Sequence, residues 1–368
     1  MPSYIVTASI NEIENLDPLV AYDEEAIKVI IIDEGNKKIR ARNSEHLDGM
    51  PHKHYGPKER EEWFRQRFGS TYRKYVRLIP ERCHAETSFG FLLASEEQAD
   101  TVLEIDDDVY ITRDLVKDHA ANLTDSKGVT VHAKGKWYNT MENLILNVDF
   151  LEYPRGHPYD PETRRNDYSW VTGREECVLN MGLWLKCPDL SALTIAHYGG
   201  LDGTCAIESQ GCKREKVVVG EGTYFALCSM NTLFKTQIVP AFYQLYMNTM
   251  GIDRFDDIWS GIFFKKIADH LRDKVCLGSP LGIHSKRRRN VFKDLSKELE
   301  GIAINEKLWR LVDEVKLSSK SYADSYLELV EHLSSNITKR FTEPIPRKFL
   351  KLQTEKMRIW VDALDKLS

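Results

Sequence analysis

Three adjacent aspartates, Asp106, Asp107 and Asp108, directly follow an apolar run at positions 99–105. Carboxylates at this spacing repel one another unless a cation lies among them. A divalent metal ion bound to a diphosphate would remove the repulsion, because carboxylate and phosphate oxygens are the ligands that magnesium and manganese prefer. The triplet has the Asp-x-Asp spacing of enzymes that use nucleotide-linked sugars, and it predicts a metal and diphosphate site. An acidic surface turn without a ligand is the alternative.

A second acidic pair, Asp256 and Asp257, stands between Phe255 and an apolar helical pattern. The dipole of a helix explains one carboxylate at its N-terminus well. It explains two carboxylates beside aromatic residues less well. The pair therefore favours a functional role, in which a carboxylate orients or deprotonates a sugar hydroxyl.

A basic segment follows the apolar run that ends at His284, with Lys286 and the arginines at 287–289 directly after it. The imidazole of His284 is either a structural group or a ligand of the metal or diphosphate. The cations form either a solvated face or a phosphate-binding face. Stacking aromatics are not interleaved with them, which disfavours nucleic-acid binding.

The segment at positions 154–174 is rich in proline, aspartate and aromatic residues, and it contains Arg155, Arg164, Arg165 and Arg174. Such a composition predicts a functional loop rather than a packed element. The four arginines suggest binding of an anion, or a mobile lid over a phosphorylated ligand.

Continuous apolar runs predict the strands that must position these side chains. We predict strands at positions 3–8, 28–33, 99–105, 217–220 and 224–227. Ligands of open α/β sheets bind at the carboxyl ends of strands. The aspartate triplet occupies one such end, and the turn Asp33-Glu34-Gly35 occupies another.

Helical periodicity predicts the remaining elements. We predict helices at positions 86–97, 255–271, 321–334 and 346–367, and either an amphipathic helix or a mobile flap at positions 58–75. Because the chain changes character near Gly301, we predict an α/β domain at residues 1–300 and an appended helical subdomain at residues 301–368. The amphipathic C-terminal helices offer a contact surface for a homo-oligomer.

The overall composition narrows the class of protein. A net charge of -5 disfavours a nucleic-acid-binding protein. No apolar run reaches the roughly 18 residues of a membrane span, and the first residues lack a basic and apolar leader. Seven cysteines, an odd number, fit reduced thiols better than a disulfide framework. The composition predicts a cytoplasmic protein without a membrane span.

Several motifs follow one another over almost the whole chain. They are Ile105-Asp106-Asp107-Asp108, Arg155-Gly156-His157-Pro158-Tyr159, Gly182-Leu183-Trp184-Leu185-Lys186-Cys187-Pro188-Asp189, Cys228-Ser229-Met230-Asn231, positions 254–261, Asp269-His270-Leu271 and His284-Ser285-Lys286. Their order resembles that of the reversibly glycosylated polypeptides of plants, which include UDP-arabinopyranose mutases, and of their microbial relatives. Departures from the plant pattern at His157 and Tyr159 predict a changed sugar pocket.

The resemblance implies a fold, a substrate and a set of activities. The fold is the GT-A glycosyltransferase fold, a Rossmann-like mixed sheet with flanking helices, and the substrate is a UDP-sugar bound with manganese or magnesium. Members of the family interconvert the pyranose and furanose forms of UDP-arabinose or transfer a sugar, sometimes onto themselves. The self-glycosylated arginine of the family falls on Arg155.

The residues and the resemblance together assign roles to individual side chains. The predicted metal ligands are Asp106, Asp108 and His284. The predicted catalytic residues are Arg155, Asp256 and Asp257. The predicted substrate contacts are Asp107, Lys286, Trp184 on the sugar, and Asp33, Glu34 and Gly35 on the nucleobase or ribose. For Trp184, packing in the core is an equally good interpretation.

Three functions follow from these assignments. The first is a metal-dependent UDP-sugar pyranose/furanose mutase, self-glycosylating at Arg155. The second is a glycosyltransferase with a separate small-molecule, glycan or protein acceptor. The third is a non-catalytic subunit of a mutase complex, which would lack the acidic groups that this chain retains.

Overall fold

A computed structural model describes residues 3–21, 27–112 and 114–368, and these residues form a 13-stranded mixed sheet with flanking helices. The strands are β1 Ser3–Ser9, β2 Ile27–Asp33, β3 His52–His54, β4 Thr101–Ile105, β5 Val109–Tyr110, β6 Ser126–Ala133, β7 Leu144–Leu146, β8 Tyr168–Glu175, β9 Leu179–Lys186, β10 Ser209–Cys212, β11 Lys216–Val219, β12 Asn231–Lys235 and β13 Val275–His284. The helices are α1 Lys37–His46, α2 Pro57–Phe68, α3 Tyr72–Val76, α4 Ser88–Glu96, α5 Leu115–Leu123, α6 Ala192–His197, α7 Asp256–Leu271, α8 Val291–Asp313, α9 Tyr322–Arg340 and α10 Pro344–Leu367. Short 3₁₀ helices lie at Glu14–Ala21, Gly69–Thr71, His84–Thr87, Thr140–Asn143 and Thr236–Ala241.

The first half of the sheet is parallel. β1 lies between β2 and β4 and pairs in parallel with both, and β3 pairs in parallel with β2. The side chains of Ile30, Ile31 and Ile32 are fully buried. A strand that is covered on both faces requires such a continuous apolar run. The predicted strands at 3–8, 28–33 and 99–105 are therefore confirmed.

The second half of the sheet brings distant segments to one edge. β12 is antiparallel to both β4 and β9, and β9 is parallel to β13. Hence β4, β9 and β13 point in the same direction, and their carboxyl ends share an edge with the beginning of β12. The residues at this edge are the aspartate triplet, the segment after Lys186, the segment before Asn231, and His284.

Two local predictions are wrong. Positions 224–227 form no strand: they are an irregular segment whose side chains are buried, and Tyr224 contributes only an isolated bridge to Trp137. An apolar run indicates buried side chains. Here the side chains are buried, but the backbone of the segment does not pair as a strand. The segment at 154–174 is not a loop throughout, because β8 begins at Tyr168 and pairs with β6. Exposed side chains on this edge strand gave it the polar composition of a loop.

The C-terminal helices pack against the body of the sheet domain. Trp259 of α7 meets Phe349 of α10, with ring centroids 5.8 Å apart. The proposed boundary between residues 300 and 301 falls inside α8, so the division into two domains stays a prediction. Within the described part of the chain, each helix is too short or too polar to cross a lipid bilayer.

Candidate active site at the carboxyl edge of the sheet

Two adjoining cavities open at the edge where β4, β9 and β13 end. The first, which we call the acidic cavity, has a volume of about 270 Å³ and is bounded by the segments after β4 and β9, the N-terminus of α7 and the end of β13. The second, the β1 cavity, has a volume of about 370 Å³ and is bounded by residues 8–11 at the end of β1. The residues that line both cavities are Arg82, Cys83, His84, Asp106, Asp108 and Arg289.

The three aspartates of the triplet have different surroundings. Asp107 accepts hydrogen bonds from Ser9 Oγ at 2.5 Å and Asn11 Nδ2 at 3.0 Å, and it pairs with Arg287. Burial raises the pKa of Asp108, and the negative charges of Asp106 and Asp107 raise it further. Burial would also raise the pKa of Asp106, but the charge and hydrogen bond of His84, together with the charges of His284 and Arg155, lower that pKa. The carboxylates of Asp106 and Asp108 both face the cavities.

The end of β13 places an imidazole beside the triplet. His284 Nε2 lies 3.7 Å from Asp108 Oδ1, and Ser285 N donates to the Asp108 carbonyl at 2.8 Å. The other ring nitrogen, Nδ1, lies 2.7 Å from the carbonyl oxygen of Cys187, which can only accept a hydrogen bond. Nδ1 therefore donates to the Cys187 carbonyl, and Nε2 is the ring nitrogen on the side of Asp108. Metal-ligating histidines are oriented in this way.

Arg155 forms the opposite wall of the acidic cavity. Its guanidinium pairs with Asp189 at 3.0 Å and with Asp257 at 3.2 Å, and it donates to the carbonyl of Arg254. Burial would lower the pKa of Arg155, but the two carboxylates hold it well above its usual range. Arg155 is thus a cation that joins the segment after β9 to the N-terminus of α7.

The second acidic pair begins α7. Asp257 accepts from its neighbour's backbone, Ile258 N, at 2.9 Å, and from Ser229 N at 3.3 Å. Burial raises the pKa of Asp257, and the charge of Arg155 opposes the rise. Asp256 instead meets His84, whose Nδ1 lies 2.8 Å from Asp256 Oδ2. The pair is therefore divided between two cationic partners.

His84, which the sequence analysis did not single out, links the two acidic groups. Its Nε2 lies 3.1 Å from Asp106 Oδ1, while its Nδ1 faces Asp256. Burial would lower the pKa of His84, but Asp106 and Asp256 raise it well above its usual range. Sequence reasoning also missed Asp189. Its position at the end of the Gly182 to Asp189 motif was a usable signal, whereas nothing in the sequence near His84 points to Asp256.

A group of cations faces these carboxylates. Its members, besides Arg155, are Arg82, Arg254, Lys286, Arg289 and Lys297. Burial lowers the pKa of Lys286, and the charge of Arg254 lowers it further. Arg254 is fixed by Glu298 of α8, with 2.7 Å between Nε and Oε1. The acidic cavity therefore presents cations to an anionic ligand as well as carboxylates to hydroxyl groups.

The remaining predicted contacts lie away from the walls of these two cavities. The carboxylate of Asp33 accepts from Gly35 N at 2.9 Å, Asn43 Nδ2 at 3.2 Å and His54 Nδ1 at 3.0 Å. Glu34 pairs with Arg60 and accepts from Arg82 N at 2.8 Å. Their predicted contact with the nucleobase or ribose stays a prediction. Trp184 is fully buried, as core packing requires.

The donor set can be compared with the needs of a magnesium or manganese ion. Among residues 3–21, 27–112 and 114–368, no three histidine, cysteine, aspartate or glutamate side chains converge into a complete metal centre. Magnesium is commonly bound by one or two carboxylates together with substrate phosphates. His284 Nε2 lies beside Asp108, whereas Asp106 is paired with His84, so that a metal site at these residues would need oxygens from a diphosphate and stays a prediction.

The fold and site define an α/β protein with a charged cavity at the carboxyl ends of its strands, which is where open α/β sheets bind their ligands. The chain belongs to the reversibly glycosylated polypeptide family, whose model matches residues 71–368. It is 29% identical over 296 residues to UDP-arabinopyranose mutase 1 of Arabidopsis thaliana, covering 76% of this chain and 72% of that protein. It is 28% identical over 289 residues to UDP-arabinopyranose mutase 1 of Oryza sativa subsp. japonica, covering 76% and 71%. These relatives confirm the family that the motifs indicated.

Proposed function

We propose that this protein is a UDP-sugar mutase that interconverts the pyranose and furanose forms of a UDP-linked pentose, with UDP-arabinose as its first candidate substrate. Membership of the family and the names of the relatives support the reaction class. The observation that carries the proposal is the acidic cavity, which the paired Arg155 and Asp257 line together with Asp106, Asp108 and His284.

The two cavities suggest how the substrate lies. The β1 cavity would take the nucleoside, because residues 8–11 and Asp107 line it. The acidic cavity would take the sugar, because most of the residues that line it are carboxylates and cations. The diphosphate would then lie where the cavities meet, beside Asp106, Asp108 and Arg289. Arginine forks match phosphate oxygens, which favours this placement.

The metal ion belongs to the same proposal. Asp106, Asp108 and His284 Nε2 are the groups that would hold magnesium or manganese. When bound, the ion supplies Lewis-acid stabilisation of the diphosphate as a leaving group. Arg287 and Arg289 add positive charge on the same side, and Arg287 also fixes Asp107.

Ring contraction places a specific demand on the sugar side of the site. The bond between C1 and the diphosphate breaks and re-forms; in between, the bond from C1 to O5 is exchanged for one from C1 to O4. The proton of the 4-hydroxyl must leave and one must reach O5, so an acid and base must face the ring. Asp256 suits this exchange better than Asp257, since Arg155, Ser229 N and Ile258 N already occupy Asp257.

The glycosylation of Arg155 is a separate part of the proposal. Arg155 borders the acidic cavity but is only 8% exposed and is paired with two carboxylates. A protonated guanidinium has no free lone pair, so one of these carboxylates would have to accept its proton before a sugar could attach. Intact-protein mass spectrometry after incubation with a UDP-sugar tests this step. An added pentose or hexose mass that is absent from Arg155→Lys supports it, and an unchanged wild-type mass contradicts it.

The test of the mutase is a turnover assay without an acceptor. Wild-type protein is incubated with UDP-arabinopyranose and Mn²⁺, and the products are separated by chromatography. Formation of UDP-arabinofuranose, lost in Asp108→Asn and Asp256→Asn, supports the proposal. Release of UDP that requires an added acceptor would indicate a transferase. Binding of UDP without turnover by the wild-type protein would indicate a non-catalytic subunit.

A further inference from the structure

Arg82 lies at the boundary between the acidic cavity and the β1 cavity and lines both of them. It belongs to the short segment between α3 and the 3₁₀ helix His84–Thr87, and its side chain is exposed. Under the proposed function, the diphosphate of the substrate lies at this boundary. Arg82 therefore borders the space that the diphosphate would occupy.

The guanidinium of Arg82 differs from those of the other arginines in the acidic cavity, because it has no carboxylate partner among the residues that the structure describes. Arg254 pairs with Glu298 at 2.7 Å. Arg289 pairs with Asp294 at 3.4 Å. A guanidinium presents its N–H donors in a planar fork that matches the oxygens of a phosphate. The donors of Arg82 are therefore available to a ligand.

The backbone at Arg82 adopts a conformation that is uncommon for arginine. Its φ is +55°, in the left-handed region that glycine adopts without strain. The backbone N–H of Arg82 donates to Glu34 Oε2 at 2.8 Å, and Glu34 directly follows β2. A strained backbone persists only where surrounding contacts hold it, and such residues are concentrated at ligand-binding positions. The contact with Glu34 is one that holds Arg82 in this conformation.

Glu34 is itself fixed by buried charges. Arg60 of α2 pairs with Glu34 through Nη2 and with Glu86 through Nη1, the second pair at 2.9 Å. All three side chains are nearly fully buried. Loss of one partner would leave a buried charge uncompensated, so the three groups hold one another in place. The end of β2 is thereby tied to the segment that carries Arg82.

We propose that Arg82 binds the diphosphate of the substrate and that Glu34 is a positioning residue, which holds the backbone of Arg82 so that its guanidinium lies at the boundary of the two cavities. The inference rests on the proposed function. It gives Glu34 a role different from the predicted contact with the nucleobase or ribose. Arg289, which lines both cavities as well, would bind the same diphosphate.

The first experiment compares a ligand that has a diphosphate with one that has none. Dissociation constants are measured for the wild type and Arg82→Met in the presence of Mg²⁺, by calorimetry for UDP and by ligand-observed NMR for uridine. UDP should bind about tenfold more weakly to the variant, the lower end for a hydrogen bond to a charged group. Uridine should bind equally to both proteins. Unchanged UDP binding, or an equal loss for uridine, would overturn the inference.

Two further variants separate a direct contact from long-range charge and from folding. Arg77→Met removes an exposed arginine of the same segment that lines neither cavity, so UDP binding should change less than about twofold. Arg82→Gly relieves the strain of the positive φ and should unfold at a urea concentration no lower than Arg82→Met does. It should nevertheless bind UDP as weakly as Arg82→Met. Equal losses of UDP affinity in Arg77→Met and Arg82→Met would contradict a direct contact.

A double-mutant cycle tests the role of Glu34. Glu34→Gln should weaken UDP binding about threefold and leave uridine binding unchanged, because it alters only the placement of the guanidinium. The variant that combines Glu34→Gln with Arg82→Met should bind UDP no more weakly than Arg82→Met alone. Independent, multiplicative losses would show that Glu34 does not act through Arg82. A wild type that binds UDP but forms no furanose product would refute the proposed function, while the comparison of UDP affinities would still decide the role of Arg82.

Discussion

Arg155 depends on carboxylates that lie far from it in the sequence. Asp189 follows β9 and Asp257 begins α7, and both reach the same guanidinium. A buried guanidinium without carboxylate partners would lower the stability of the fold by roughly several kcal/mol. The pairing therefore stabilises the fold and also sets the positive charge in the wall of the acidic cavity. Single residues here serve the fold and the site together.

Because Arg155 pairs with Asp189, we expect a substitution of Asp189 to lower the stability of the fold considerably. Asp189→Asn leaves Asp257 as the remaining carboxylate partner, so we expect a loss of about 3 kcal/mol in the free energy of unfolding, at the lower end for a broken buried pair. Urea unfolding measures it. The matched control is Asp125→Asn, whose partner Arg174 is at the surface at 3.3 Å, where an ion pair contributes about 0–1 kcal/mol. Equal losses in the two variants would refute the structural role of Asp189.

His119 of α5 is a second residue whose state is set by distant partners. Its Nε2 donates to Asn231 Oδ1 at 2.9 Å, and its Nδ1 accepts from Asn180 Nδ2 at 2.8 Å. Burial lowers the pKa of His119 from 6.5 to about 4, although the bond to Asn231 opposes the shift. The folded protein therefore holds this ring neutral.

A pH dependence of stability follows from His119. Between pH 6.5 and about 4, His119 is protonated in the unfolded chain but stays neutral in the folded protein. The free energy of unfolding therefore decreases as the pH falls through this range. We compare the free energy of unfolding of the wild type with that of His119→Gln. As the pH is lowered from 7.5 to 5, the wild type should lose about 2 kcal/mol relative to the variant, at about 1.4 kcal/mol per pH unit. Urea unfolding at both pH values measures it. A difference that is constant with pH would contradict the neutral ring.

At the scale of elements, glycines allow α7 and α8 to approach their neighbours. A Cβ on Gly261 of α7 would lie 2.4 Å from Leu227 Cβ, and one on Gly301 of α8 would lie 2.3 Å from the ring of Phe255. Phe255 directly precedes the acidic pair. The close approach of α8 to Phe255 therefore positions the N-terminus of α7, which begins with Asp256 and Asp257.

Gly301→Ala tests this contact. The gain in helix propensity is about 1 kcal/mol, whereas overpacking costs about 1–3 kcal/mol. We expect a net loss of about 1 kcal/mol, together with a fall in kcat as Phe255 shifts the acidic pair. Gly173→Ala is the control, because a Cβ there meets nothing within 4 Å. If Gly301→Ala is stabilised and fully active, the close approach does not position the site.

At the scale of the whole molecule, the last helix closes the core. Trp360 of α10 is fully buried, its ring lies 5.0 Å from that of Tyr243, and its Nε1 donates to the Val239 carbonyl at 3.0 Å. Both partners belong to the segment between β12 and α7. The C-terminal helices therefore stabilise the body that carries the acidic cavity.

The Trp360 contact predicts that damage to α10 unfolds more than the C-terminal helices. Trp360→Ala should lower the free energy of unfolding by about 4 kcal/mol, the usual cost of removing a buried tryptophan. Leu299→Ala at an exposed site of α8 should stay within about 0.5 kcal/mol. Hydrogen exchange checks the extent: faster exchange in β12 as well as α10 is expected, and a change confined to α10 would contradict the coupling.

Much of the sheet was predictable, because strands covered on both faces need the apolar runs that the sequence shows at 3–8, 28–33 and 99–105. The C-terminal helices were predictable for a similar reason, since their apolar residues recur at helical spacing. The irregular segment at 224–227 was not, because burial without strand pairing leaves the same apolar signal. Edge strand β8 was missed for the opposite reason, because most of its side chains are exposed.

The sequence by itself determined the acidic triplet, the pair at Asp256 and Asp257, and the motifs that place the chain in its family, because these are properties of neighbouring residues. Only the tertiary structure decided which side chains pair with these acidic groups. Parallel β4, β9 and β13 end at one edge, so Asp108 meets His284 and Arg155 meets two carboxylates from separate elements. The same convergence sets His84 between Asp106 and Asp256. Charge pairing depends on distance in space, and distance in space is fixed by strand order.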